Sequence, residues 1–148
     1  MEPLHVDVAM KGLRRLLDRL AGPDIDLVIE CEPSLPPARF DGSVFRRILV
    51  ELVQTSSAAI PDRGRILVRA EADRDRVLLT VADTGPGVFV DELPGVFEPF
   101  HERRRRSPTA DAGLAAVYEI VVVNGADIRV VSTPGGGARF SIYLPAWI

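Results

Sequence analysis

Asp83-Thr84-Gly85-Pro86-Gly87 directly follows a strand-forming run, Val77–Ala82. An acidic side chain at the sheltered end of a strand can accept a hydrogen bond from an exocyclic amine, and charge-assisted bonds are the stronger kind. Gly85 and Gly87 would let the backbone approach a flat ring and take positive φ. The same five residues also read as an ordinary tight turn. Arg103-Arg104-Arg105-Arg106 offers guanidinium forks suited to phosphate oxygens, or a solvated charged surface. Gly113 precedes an apolar run, and a helix starting there would point free backbone amides at an anion. Glu51 and Thr55 lie four apart on an expected helix and so share a face. A carboxylate and a hydroxyl placed that way suit a base and a metal or water ligand, or plain polar surface. Phe97-Glu98-Pro99-Phe100 supplies two rings able to anchor a loop onto a core. His5 and His101 have no Cys or carboxylate partner at ligand spacing, so no histidine metal site is expected. Nor is there a Ser/His/Asp or Cys/His arrangement for nucleophilic catalysis.

Regular elements must position these residues. His5–Asp7 reads as a short strand, after which Met10, Leu13, Leu16, Leu17 and Leu20 recur at helical spacing until Gly22-Pro23. Asp26–Glu32 reads as a strand. Asp41 is the expected N-cap of a second helix reaching about Ile60, with Phe45, Ile48, Leu49, Leu52 and Val53 on its apolar side. Strands follow at Ile66–Ala72 and Val77–Ala82, joined by a charged hairpin. Asp83–Ala112 is punctuated by Gly, Pro and Arg, with at most a helical turn near Leu93–Phe97. A connection that long in a compact domain is generally functional or disordered. Gly113–Val123 is the third expected helix, and Ile128–Ser132 and Arg139–Leu144 are the last strands. Phe140, Ile142 and Leu144 alternate with Ser141 and Tyr143, which predicts one covered and one more open face. This order predicts an α+β two-layer sandwich, with about three helices on one face of a mixed, mostly antiparallel sheet.

Composition bounds the function. At 148 residues, with 47% hydrophobic and 26% charged residues, the chain fits one globular domain spanning 1–148. One cysteine, Cys31, excludes an internal disulfide framework and fits a reducing, cytoplasmic setting. The longest apolar stretch, around Ile120–Val123, is far too short to span a bilayer, and Met1–Leu4 has no signal-peptide pattern. A net charge of −3 gives no global reason to expect nucleic acid or an anionic membrane as partner.

Taken in order, DTGPG at Asp83–Gly87, FEPF at Phe97–Phe100, GLAAVYEIV at Gly113–Val121 and PGGGARFSIYLP at Pro134–Pro145 resemble the ATP-binding domain of histidine kinases. That group is shared with type II topoisomerases, Hsp90 chaperones and mismatch-repair ATPases, and the resemblance covers essentially the whole chain. It implies a Bergerat-type ATPase fold binding ATP or ADP with Mg2+. Asp83 would meet the adenine amine, with Gly85 and Gly87 shaping the base pocket. A lid would span about residues 101–112, with Arg104 where a phosphate-reaching Lys often stands, and Gly113 and Leu114 at the phosphate end. The implied reaction moves the γ-phosphoryl of ATP to a histidine on a separate dimerising helical hairpin, where positioning and electrostatics dominate. The implied partners are that hairpin and a response-regulator receiver domain. Glu51 falls where topoisomerase-type relatives place a catalytic glutamate. Neither His5 nor His101 is expected on a long helix suited to accept the phosphoryl group, so this chain alone should not phosphorylate itself.

The departures from the family pattern gather at one end. Thr55 stands where the family carries a magnesium-binding Asn, and offers one neutral oxygen. Thr109-Ala110-Asp111-Ala112-Gly113 stands where the lid motif GTGLG is usual, keeping only its last glycine. Arg139 replaces the Thr that usually precedes the last-strand Phe, near the adenine. Each charge-assisted hydrogen bond lost to phosphate is worth about 1.5–3 kcal/mol. Two or three such losses weaken binding by a factor on the order of 10²–10⁶. The resemblance therefore implies a kinase domain with impaired phosphate and magnesium handling. The alternative is a pseudokinase-type module that docks a hairpin or receiver domain with little or no nucleotide.

Overall fold

The structure, a computed structural model, describes residues 2–84, 108–133 and 137–147, and for 108–114 and 132–133 only the backbone. Its elements are α1 (Val6–Ala21), β1 (Ile25–Cys31), α2 (Gly42–Ala59), β2 (Gly64–Asp73), β3 (Arg76–Asp83), α3 (Pro108–Val123), β4 (Asp127–Thr133) and β5 (Gly137–Pro145). The strands form one sheet in the order β1-β2-β3-β5-β4. β1 and β2 run parallel, and every other neighbouring pair is antiparallel. The α+β two-layer architecture matches the expectation from sequence.

Alternation decides which face the helices cover. Ile66, Val68 and Ala70 of β2, Val77, Leu79 and Val81 of β3, and Phe140, Ile142 and Leu144 of β5 are buried. Their neighbours along each strand point to the other, open face, as period-two geometry requires. From α2, Phe45, Ile48, Leu49, Leu52 and Val53 close over this sheet, all at 0% exposure. Fully burying a side chain of that size stabilises by about 1.5–3 kcal/mol, so α2 is the central pillar of the core. Its start is fixed by Asp41, whose carboxylate accepts from the Ser43 and Val44 amides at 2.8 and 3.2 Å. The Ser43 hydroxyl, and then those two amides, hold the Asp41 carboxyl below the usual carboxylate range.

Two boundaries differ from the sequence expectation. His5–Asp7 is not a strand: α1 begins at Val6, and the His5 carbonyl accepts from the Ala9 amide at 3.0 Å. Val6 and Met10 lie four apart and both are buried, so the apolar stripe extends upstream and carries the helix with it. The extended contact is made one residue earlier, where Leu4 bridges Ala38. At the other end of the chain, α3 begins at Pro108 and not at Gly113. Proline at a first helical position is a start signal, because its missing N–H has no partner there anyway. The glycine had masked it.

Candidate functional site

Asp83 closes β3. It falls on the same side of the strand as Val77, Leu79 and Val81, the side the helices cover, and is 9% exposed. Opposite it the ladder reaches Ala138, whose amide donates to the Asp83 carboxylate at 3.3 Å. Two closures hold the strand end. On the β2 side the Arg65 amide donates to Thr84 Oγ1 at 2.9 Å, while the Thr84 amide donates to the Arg65 carbonyl at 3.2 Å. On the β5 side Gly137, at φ +89°, passes so close that a Cβ there would sit 2.0 Å from the Asp83 carbonyl oxygen. Only a glycine serves, both for the left-handed backbone and for the approach. Gly64 makes a similar fit, since a Cβ there would lie 2.6 Å from Thr84 Oγ1. A carboxylate is thus held at the sheet end, shielded from bulk water, with lone pairs suited to an amine donor. Gly64, Thr84 and Gly137 were not singled out from sequence, because their role is a close approach between strands that only register reveals.

Glu51 and Thr55 are half-buried on α2, bordering the apolar stripe through Ile48, Leu52 and Ser56. Ser56 is 1% exposed, and its hydroxyl has no hydrogen-bond partner among the described residues. The donor set suits a divalent cation poorly. Thr55 brings one neutral oxygen, and among the described residues no three His, Cys, Asp or Glu side chains gather to hold a metal. Gly113 lies inside α3, five residues past its start. In a helix beginning at Pro108 the amides of residues 113 and 114 are directed at carbonyls one turn back, and the free amides belong to the residues before them. Gly85, Gly87, Arg104, the Phe97–Phe100 pair, the expected helical turn near Leu93–Phe97 and residues 101–107 of the expected lid lie outside the described residues.

One expected neighbour of the base is placed elsewhere. Arg139 is exposed and pairs with Ala82, on the face of the sheet opposite Asp83. Ala138 stands beside Asp83 instead, because successive side chains of β5 alternate between faces. The arginine therefore takes nothing from the base side. Cys31 is no candidate nucleophile either: burial, with Asp7 nearby, pushes its thiol up.

Residues 40–148 match the family of histidine kinase-, DNA gyrase B- and HSP90-like ATPases. The chain belongs to that family. It is 33% identical to the sensor kinase CckA of Brucella abortus (strain 2308) over 162 residues, covering 99% of this chain and 17% of CckA. Among solved structures, full-length ShkA in complex with AMPPNP superposes with a TM-score of 0.84 at 26% identity, covering 99% of this chain and 31% of ShkA. The mycobacterial sensor histidine kinase MprB gives a TM-score of 0.77 at 26% identity, covering 98% of both chains. The chain thus corresponds to a part of CckA and of ShkA. It is a member of this ATPase family related to sensor histidine kinases, and its buried Asp83 lies at the junction of β3 and β5. No helix of the described residues is long and apolar enough to cross a membrane.

Proposed function

We propose that this chain is the nucleotide-binding part of a two-component sensor histidine kinase that recognises adenine but handles phosphate and metal weakly. The reading rests on Asp83, a buried carboxylate held at the strand end by Ala138, Thr84 and the close pass of Gly137. Its role is to accept from the adenine amine, with Gly85 and Gly87 forming the rest of the base pocket. The match to ShkA, solved with AMPPNP, supports an adenine nucleotide as the ligand class. In the whole protein, the γ-phosphoryl of ATP would go to a histidine on a dimerising helical hairpin and then to a receiver domain, in the cytoplasm. Arg104 would approach the phosphates. Glu51 is the remaining candidate for base chemistry beside Thr55. The residues at the family position of the magnesium ion fit it poorly, Thr55 bringing a single neutral oxygen.

A pseudokinase-type docking module is the second reading, and α3 favours it. With the helix running from Pro108, the amides of Gly113 and Leu114 would reach phosphate only if its first turns opened. Calorimetric titration with adenosine, ADP and ATP, each with and without Mg2+, separates the two. The first reading expects all three ligands to bind within about tenfold of one another, since phosphate contacts add less than about 1.4 kcal/mol. It also expects little dependence on Mg2+, and loss of binding in Asp83→Asn. No heat at millimolar adenosine or nucleotide, with the domain folded, would overturn the first reading and favour the docking module. Binding unchanged in Asp83→Asn would sink the base-site assignment.

A further inference from the structure

The sheet's open face carries five arginines and a row of apolar side chains. Arg65 pairs with Asp26 at 3.4 Å, Arg69 with Glu30 at 3.2 Å and Glu71 at 3.1 Å, Arg76 with Asp73 at 3.7 Å, and Arg129 with Asp127 at 3.1 Å. Arg76 also lies over the Tyr143 ring, 4.4 Å from its centroid. Arg139 is the fifth, and among the described residues it is the one on this face without an ion pair. The register places it between Ala82 of β3 and Val131 of β4, and carries the same row on through Leu67 and Val28. Val131 is 63% exposed. A lone exposed cation therefore interrupts an apolar row on a face whose other cations are neutralised from within.

We propose that this row docks an amphipathic helix of a partner protein, one acidic residue of which pairs with Arg139 between apolar contacts to Val28, Leu67, Ala82 and Val131. A sheet face buries its apolar side chains against a second layer, and among the described residues only one face of this sheet has such a layer. The row crosses five strands, four spacings of about 4.8 Å, or roughly 19 Å. At 1.5 Å per residue that is a helix of about 13 residues. A second copy docked with its two-fold axis running along the row is disfavoured, since that sets Arg139 against Arg139, and like charges in contact oppose association. An acidic residue flanked by apolar ones reverses that sign, and excluding water strengthens the pair beyond a surface ion pair.

The test is a displayed library of random 14-residue peptides, panned on the wild-type domain and counter-selected on Arg139→Glu. The expected winners share an Asp or Glu within apolar residues at three- and four-residue spacing. They bind wild type at least tenfold tighter than Arg139→Glu, and shift the amide resonances of Leu67, Ala82, Arg139 and Val131. Replacing the peptide's acid with lysine restores binding to Arg139→Glu, and Val131→Asp weakens the original peptide without changing the melting temperature beyond a few degrees. Absence of enrichment, equal binding to Arg139→Glu, or amide shifts confined to the helical layer would each overturn the proposal. So would a concentration-dependent dimer, seen in sedimentation and lost in Arg139→Glu.

Discussion

Replacing Gly137 with alanine probes the joint that holds Asp83. Two costs add. A left-handed backbone costs an L-residue roughly 1–2 kcal/mol. The new methyl would also lie 2.0 Å from the Asp83 carbonyl oxygen, 3.0 Å from its carbon and 3.3 Å from Thr84 Cα. All three atoms are backbone, so no side chain can swing away, and overpacking of that kind costs typically about 1–3 kcal/mol. The total is about 2–5 kcal/mol, which most domains of this size survive. Gly125→Ala is the matched control: its φ is +81°, but nothing lies within 4 Å of a Cβ there, so it carries the backbone cost alone. Urea unfolding of both variants should therefore differ by about 1–3 kcal/mol, at equal m-values. Thr84 is tied to Arg65 on the far side, so relief of the clash must part Gly137 from the end of β3 and strain the Ala138–Asp83 bond beside it. That movement displaces the carboxylate, so adenosine should bind about 10–100-fold more weakly to Gly137→Ala and unchanged to Gly125→Ala. If the two variants unfold within about 0.5 kcal/mol of each other, the joint is not tight and the positioning argument fails.

Two further perturbations probe α2. Ser56→Ala removes a buried hydroxyl that has no hydrogen-bond partner among the described residues and installs the better helix former. Relief of an unsatisfied group and gain in propensity both stabilise, so urea melts should show a rise of about 1 kcal/mol, and a loss would mean the hydroxyl has work to do. Asp41→Asn keeps a capping acceptor but removes the charge. Because the folded Asp41 carboxyl lies below its ordinary value, the stability its charge lends is present above the unfolded pKa and is lost as pH falls through the folded one. The stability gap between wild type and Asp41→Asn should thus be flat from about pH 5 to 8 and begin to shrink as pH falls below about 4; a gap that widened with acid would contradict it.

Most of the scaffold was legible in the sequence because periodicity is a local property. The alternation of Phe140, Ile142 and Leu144, the helical stripe from Phe45 to Val53 and the Asp41 cap each announce themselves within a few residues. Boundaries set by what lies across space were harder. Val6 joins α1 because it completes a stripe against the core, and Arg139 leaves the base side because β5 pairs in one register and no other. Asp83 was legible as a candidate, but of the partners that fix it Gly137 lies 54 residues further along the chain, and Thr84, the next residue, acts through Arg65 of a neighbouring strand.

The two ends of the site also differ in what the fold demands of them. Asp83, Thr84, Gly64 and Gly137 belong to the ladder itself, so altering them disturbs the β2–β3–β5 packing whatever the ligand. Thr55 borders the helix stripe, and residues 109–113 begin a helix, where Thr, Ala and Asp are all sterically admissible. Changes at that end leave the core intact. On the proposed reading, a base-binding carboxylate would therefore persist on structural grounds after phosphate chemistry had weakened, and its presence alone does not establish turnover. Adenosine and ATP affinities, compared on the same domain, test that reading: a ratio near one favours a kept base end and a released phosphate end, whereas a large preference for ATP would overturn the proposed weak handling of phosphate.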